Sequence, residues 1–275
     1  MREGKERVNV RSKAALAGNP AFNILTTTDD IQKHGRDTRN ENRAPSRDAK
    51  KGRELGVAKL VLFGAKDLAR LAHFYFTHDS PHEVVAFCVE EAYRTAPEFL
   101  GLPLVGFGEV ERYYPPEEHQ MFIAVGYARL NQFRAEKYTE AKARGYTFVS
   151  YVSSRATVLT RAPIGENCFI LEDCTIQPFS TIGHNVTLWS GSHVGHDSII
   201  EDHCFLAPHA VVAGHCTVGA YSFLGVNATL RNAIHVASHS LIGPGAVILR
   251  DTVEYGVYLA PPAKRTPQRS SEVDL

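Results

Sequence analysis

The residues able to do chemistry in this 275-residue chain crowd into its second half. Eight of the 13 histidines fall there: His184, His193, His196, His203, His209, His215, His235 and His239. An imidazole exchanges protons near neutral pH and also ligates metals, so proton transfer and metal chemistry are the two options. One of the eight, His196, is followed directly by Asp197. The five cysteines show neither CxxC metal-site spacing nor the density of a secreted disulfide scaffold and read as reduced thiols. Nearer the start, Phe63-Gly64-Ala65-Lys66-Asp67-Leu68 lacks the full GxGxxG fingerprint, so no dinucleotide site is expected. Gly64 and Gly126 instead read as strand-end glycines, either lining a looser nucleotide or nucleotide-sugar pocket or simply making structural turns.

A repeat positions the histidines. Stepping by six from Val158 to Ile248 meets sixteen residues, all aliphatic. The position four further on is nearly always small, and it holds Cys168, Cys174, Cys204 and Cys216. The position after the aliphatic is glycine at 165, 183, 195, 219, 225 and 243, as a corner needs where a side chain would clash or φ turns positive. Each hexad makes a short strand and a corner, and three hexads close a triangular coil. Coils stack as parallel strands about 4.8 Å apart, with aliphatic and small residues inside. No repeat histidine holds an inward position, so each, taken singly, is an exposed corner or edge residue.

Upstream of the repeat, short apolar runs alternate with helical patterns, which predicts βαβ units and a small Rossmann-like parallel sheet. Strands are expected at Lys59 to Phe63, Val84 to Val89 and Met121 to Val125. A helix should carry Leu68, Leu71, Ala72 and Phe76 on one face, and a polar helix should run from about Asn131 to Arg144. The expected organisation is a disordered tail over 1–57, the α/β domain over 58–150, the β-helix over 151–253 and a second tail over 254–275. The first tail carries thirteen Lys or Arg against eight Asp or Glu, but without interleaved aromatics it is not read as a nucleic-acid arm. Thirty basic and thirty acidic residues cancel, so no global field draws the chain to nucleic acid or to an anionic membrane. With no stretch long and apolar enough for a bilayer and no signal-peptide core, a cytoplasmic protein is expected.

This pattern resembles the bacterial hexapeptide-repeat acyltransferases. The α/β domain, about five coils and the terminal Pro261-Pro262-Ala263-Lys264 narrow the likeness to the sialic acid O-acetyltransferase and UDP-amino-sugar N-acetyltransferase group. The resemblance implies a left-handed β-helix, a homotrimer, acetyl-CoA bound between subunits, and a sugar or nucleotide-sugar acceptor in surface-glycan synthesis. Val194-Gly195-His196-Asp197 then looks like the catalytic step, with His196 as general base and Asp197 orienting it. The likeness maps cofactor contacts onto Ala213, Gly214, Gly225, Val226, Gly245 and Lys264, with Gly214 N–H a candidate oxyanion donor. Arg265 is a further candidate for the CoA phosphates.

Two positions depart from that group: a donor-contacting histidine falls on Phe205, and an asparagine near the acceptor falls on Trp189. Trp189 is therefore a substrate-site candidate of altered character, and the sugar is left open. Two rivals use the same fold. A zinc carbonic-anhydrase-like enzyme needs paired histidines five residues apart, which no repeat histidine has, so no metal is expected. A non-catalytic scaffold would leave His196 free to vary.

Overall fold

The structure is a computed structural model that describes residues 56–273. Apart from Gly56 and Val57, the expected tail 1–57 lies outside the described residues. Five strands, β1 (Lys59–Phe63), β2 (Glu83–Val89), β3 (Glu98–Phe99), β4 (Leu102–Gly106) and β5 (Gln120–Ile123), form one sheet in the order β3-β4-β2-β1-β5. Three helices accompany it: α1 (Asp67–His78), a single turn α2 (Val110–Tyr113) and α3 (Gln132–Ala143). Ala69, Ala72 and Phe76 of α1 pack on one face against Leu60, Leu62 and Phe122, whereas Tyr138 and Ala141 of α3 pack on the other against Val61, Phe63 and Met121.

The expectation of a wholly parallel sheet needs one correction. Leu100 and Gly101, both at positive φ, turn β3 back onto β4 in antiparallel register. A two-residue connection permits only that pairing, whereas parallel neighbours need a long crossover. Pro103 in β4 and the two-residue length of β3 masked both strands in the sequence.

From Tyr151 to Tyr258 the chain is a left-handed parallel β-helix. Two-residue rungs pair in parallel with rungs eighteen positions away, as Val194 does with Ile176 and Val212. The rungs make three ribbons of seven, six and four strands. Every sixth-residue aliphatic from Ile170 to Ile248 is buried, while Val158 and Ile164 at the open start are only partly covered. The small inward position is sealed too. Burial pushes the thiols of Cys168 and Cys204 up to about 12, so both are packing groups. The period breaks after Ile248: the last rung, Val257–Tyr258, pairs Val257 with Leu241, sixteen residues back.

Of the two needs the glycine pattern allows, a close approach and a positive φ, the corners show the first. Glycines after the aliphatic sit there because a Cβ would strike the neighbouring coil, as at Gly165, where it would lie 2.2 Å from Gly183 O. Left-handed φ instead falls two residues later, on Asn167, Asp173, Asn185, Asp197, His203, His215 and Tyr221, among others. Asn, Asp and His tolerate that region better than other non-glycine residues.

One buried cation ties the sheet layer to the coils. Arg134 is 2% exposed and, among the described residues, pairs with no carboxylate. Its guanidinium donates instead to Gly126 O, Asn131 Oδ1, Asn185 Oδ1 and the main-chain oxygens of Asn185, His203 and Cys204, at 2.9 to 3.2 Å. Burial pulls its pKa down to about 10, which still leaves it charged at neutral pH. Beside it, Asn131 donates to Tyr221 O at 3.0 Å and Ser222 O at 3.2 Å.

Candidate functional site

The Val194-Gly195-His196-Asp197 corner joins the rung His193–Val194 to Ile199–Ile200 on the next face. Asp197 holds φ at 56°, which turns its carboxylate back on the preceding residue, and Oδ2 lies 2.8 Å from His196 Nδ1. An ionised carboxylate can only accept, so Nδ1 carries the proton and the Nε2 lone pair is left free. Both side chains are about half exposed, at 50% and 42%. The pair therefore has the tautomer and access that a proton acceptor needs.

The next coil roofs this imidazole. A Cβ on Gly195 would lie 2.5 Å from Gly214 N, so that position must be bare, and a Cβ on Gly214 would lie 2.6 Å from His196 Nε2, so a side chain there would displace the imidazole. The gap has a second effect. At two other corners the N–H at this position is taken by a side chain from the coil below: His196 N donates to Gln177 Oε1, and Ala220 N donates to Glu201 Oε2, each at 2.9 Å. Beneath Gly214 that place belongs to Gly195, which has no side chain. Among the described residues Gly214 N–H has no acceptor, and it stands beside His196.

His215 meets His196 edge to face, with ring centroids 4.8 Å apart. The ligand atoms of His196, Asp197 and His215 lie within 4.8 Å of one another, close enough to hold a metal ion. The nitrogen nearest Asp197 is already engaged by the carboxylate, so a metal here would compete with that hydrogen bond.

Ala213 and Gly214 share the His196 corner. Gly225, Val226 and Gly245 stack at a different edge of the prism, where Gly245 N donates to Val226 O at 2.8 Å. Within one chain these two groups do not meet. Lys264 is exposed in a stretch without helix or strand.

Gly64 and Gly126 do come together. They line a cleft of about 500 Å³ with Lys66, Glu90, Tyr93 and Arg129, at the carboxyl ends of β1, β2 and β5. Gly64 is required by its surroundings, since φ is 132° and a Cβ would lie 2.6 Å from Ala124 O. Trp189 is not in this cleft. Its indole packs towards Phe205, centroids 6.3 Å apart, and its buried Nε1 has no acceptor among the described residues. Tyr127, next to Gly126, bridges the two regions by resting on Phe205 and Phe223 at 5.1 and 4.9 Å. Sequence reasoning missed Gln177 and Arg134, and it read Gly195 only as a corner glycine. A polar side chain one coil before the His-Asp step was the available signal for Gln177, whereas nothing in the repeat announces Arg134.

Known proteins share this architecture. Residues 164–196 and 180–214 match the family model described as bacterial transferase hexapeptide (six repeats). The acetyltransferase domain of PglB from Neisseria gonorrhoeae FA1090 matches with a TM-score of 0.65 at 23% identity, over 73% of this chain and 95% of that one. PerB from Caulobacter crescentus, in complex with CoA and GDP-perosamine, matches with 0.64 at 23% identity, over 74% and 94%. WeeI from Acinetobacter baumannii AYE gives 0.53 at 16% identity, over 70% and 94%. At these identities the likeness establishes the fold.

Proposed function

We propose that the chain is an acetyl-CoA-dependent acetyltransferase acting on a sugar or nucleotide-linked amino sugar, with His196 as general base and direct transfer to the acceptor. The observation that carries this reading is the free Nε2 of His196 set beside the open N–H of Gly214, with Asp197 fixing the tautomer. Nε2 takes the proton from the acceptor amine or hydroxyl as its nitrogen or oxygen bonds to the thioester carbonyl. The carbonyl oxygen gains charge where the Gly214 N–H is free to donate. When the tetrahedral species collapses, the C–S bond breaks and the imidazolium returns its proton to the departing CoA sulfur. Asp197 favours the imidazolium between these events. No covalent enzyme intermediate is needed.

The ligands of similar proteins point the same way: the PglB domain is known in complex with acetyl coenzyme A, and PerB with CoA and GDP-perosamine. The cleft at Gly64 and Gly126 is the candidate seat for the nucleotide. Gly225, Val226 and Gly245 reach His196 only if one copy's corner faces another's, which supports a homotrimer with acetyl-CoA between subunits and Lys264 near its phosphates. Five free, buried cysteines suit the cytoplasm. No helix among the described residues is long and apolar enough to cross a membrane.

The deciding experiment is release of CoA from acetyl-CoA in the presence of GDP-perosamine or other nucleotide-linked and free amino sugars, with product mass distinguishing O- from N-acetylation. Absence of both acetyl-CoA binding and turnover would leave a non-catalytic β-helix.

A further inference from the structure

Phe179 is strained and exposed at once. Its φ is 67°, a region that costs a bulky side chain of the order of 1–3 kcal/mol, and its residue surface is 79% exposed. Other aromatic residues at this corner position have a partner. Tyr221 lies 4.7 Å from both His203 and His239, and Tyr255 stacks 4.6 Å from His239. Phe179 makes no aromatic contact among the described residues. A glycine or asparagine would relieve the backbone, and a polar residue would suit the solvent, so folding alone does not account for a phenylalanine here.

Its position supplies the reason. Phe179 occupies the same corner column as Asp197, one coil earlier, and the adjoining Pro178 O accepts from Asp197 N at 3.2 Å. With Leu159, Arg161, Ala162 and Pro178 it walls an open recess of about 470 Å³. Ala213 and Gly214 lie one coil beyond His196 on the other side. A donor drawn along those bare residues reaches His196 from the later coils, so the nucleophile must approach from the earlier ones, where the recess is.

We propose that Phe179 is a specificity-determining residue for the acceptor: its ring carries the apolar, C–H-rich face of a pyranose, such as a deoxyamino hexose, and so turns the attacking group towards His196 Nε2. This rests on the acetyltransferase reading above. Aromatic faces present exposed apolar area in a fixed orientation, which is what one face of a deoxy sugar matches.

The test uses full-length protein with the nucleotide-linked amino sugar of highest turnover, starting from GDP-perosamine. Phe179→Ala should raise the acceptor KM about tenfold, the scale of one aromatic contact, and leave the acetyl-CoA KM and the pH profile of kcat unchanged. Phe179→Trp should restore the acceptor KM. Phe179→Asn should raise the acceptor KM likewise yet raise Tm by about 2 °C, because the left-handed backbone is relieved and little packing is lost. An unchanged acceptor KM overturns the proposal. So does a lower Tm with a smaller assembly by light scattering, which would make Phe179 a contact between subunits. Calorimetric binding of acetyl-CoA to the unmodified protein separates the two levels. If acetyl-CoA binds and only the Phe179 variants behave as wild type, this proposal fails alone; if acetyl-CoA does not bind, both readings fail.

Discussion

Gly214 lies against the imidazole of His196 so closely that one methyl group would occupy the space of the hydrogen-bonding nitrogen: the position of its missing Cβ is 2.6 Å from Nε2 and 2.9 Å from Cε1. Gly214→Ala should therefore displace the base while leaving the fold intact, since φ at 214 is not in the left-handed region. We expect kcat/KM to fall about 10²-fold, the cost of misplacing a reacting group by about an ångström, with Tm nearly unchanged. Steady-state kinetics beside a melting curve decide it; a large fall in Tm would assign the glycine to packing.

Removing the base should cost more than misorienting it. His196→Ala is expected to lower kcat by at least about 10²-fold, and Asp197→Asn by a smaller factor. Asn accepts the same φ of 56°, so the second variant changes the charge and the tautomer with little effect on the corner. Wild-type turnover in His196→Ala would exclude it from the reaction.

If His196, Asp197 and His215 act without metal, dialysis against a chelator should leave CoA release unchanged. Loss of turnover restored by zinc would instead establish a metal centre on that trio. His215→Ala is then the second arm, harmless to kcat within about threefold in the first case and damaging in the second.

Most of the coil was legible because its signal is redundant: one aliphatic after another obeys the same step of six, and a single exception would not hide it. The His196-Asp197 pair was legible only through a family likeness, since spacing alone cannot distinguish it from other corner histidines. The same likeness offered the Gly214 N–H as an oxyanion donor, but that this N–H lacks an acceptor was not legible, because it depends on what the coil below fails to provide, and Gly195 and Gly214 are nineteen residues apart. β3 and β4 stayed hidden behind Pro103 and their shortness. Arg134 was read as one more charge on a polar helix, and only the fold reveals that it is buried beneath the turn that carries Gly126.

Arg134→Met should destabilise the protein by about 3 kcal/mol or more, because several buried oxygens lose a charged donor together. Urea unfolding measures this. Since Gly126 O is among those oxygens, the acceptor KM should also rise in conditions where the variant remains folded.

Stability should fall in mild acid through His203. Its pKa is lowered to about 4, chiefly by burial and further by Arg134, while Asp202 opposes the shift; its Nδ1 accepts from Asn185 Nδ2 at 2.9 Å. The folded chain thus binds fewer protons at this site than the unfolded chain, whose value is 6.5. The contribution is complete above pH 6.5 and is lost as pH falls from there towards about 4. His203→Asn, which keeps a residue suited to φ of 64°, should flatten the dependence of the urea midpoint on pH across that window.

Between Ile170 and Ile248 the rungs pair their backbones with one another only at a separation of eighteen positions, so the β-helix behaves along its axis like a stack of interchangeable tiles. Lineages could lengthen or shorten this stack by whole turns far from Asp197 without disturbing the chemistry. A one-residue insertion anywhere between Ile170 and Ile248 would instead throw every later aliphatic out of the interior, so tolerated length changes should come in multiples of eighteen or at the ends.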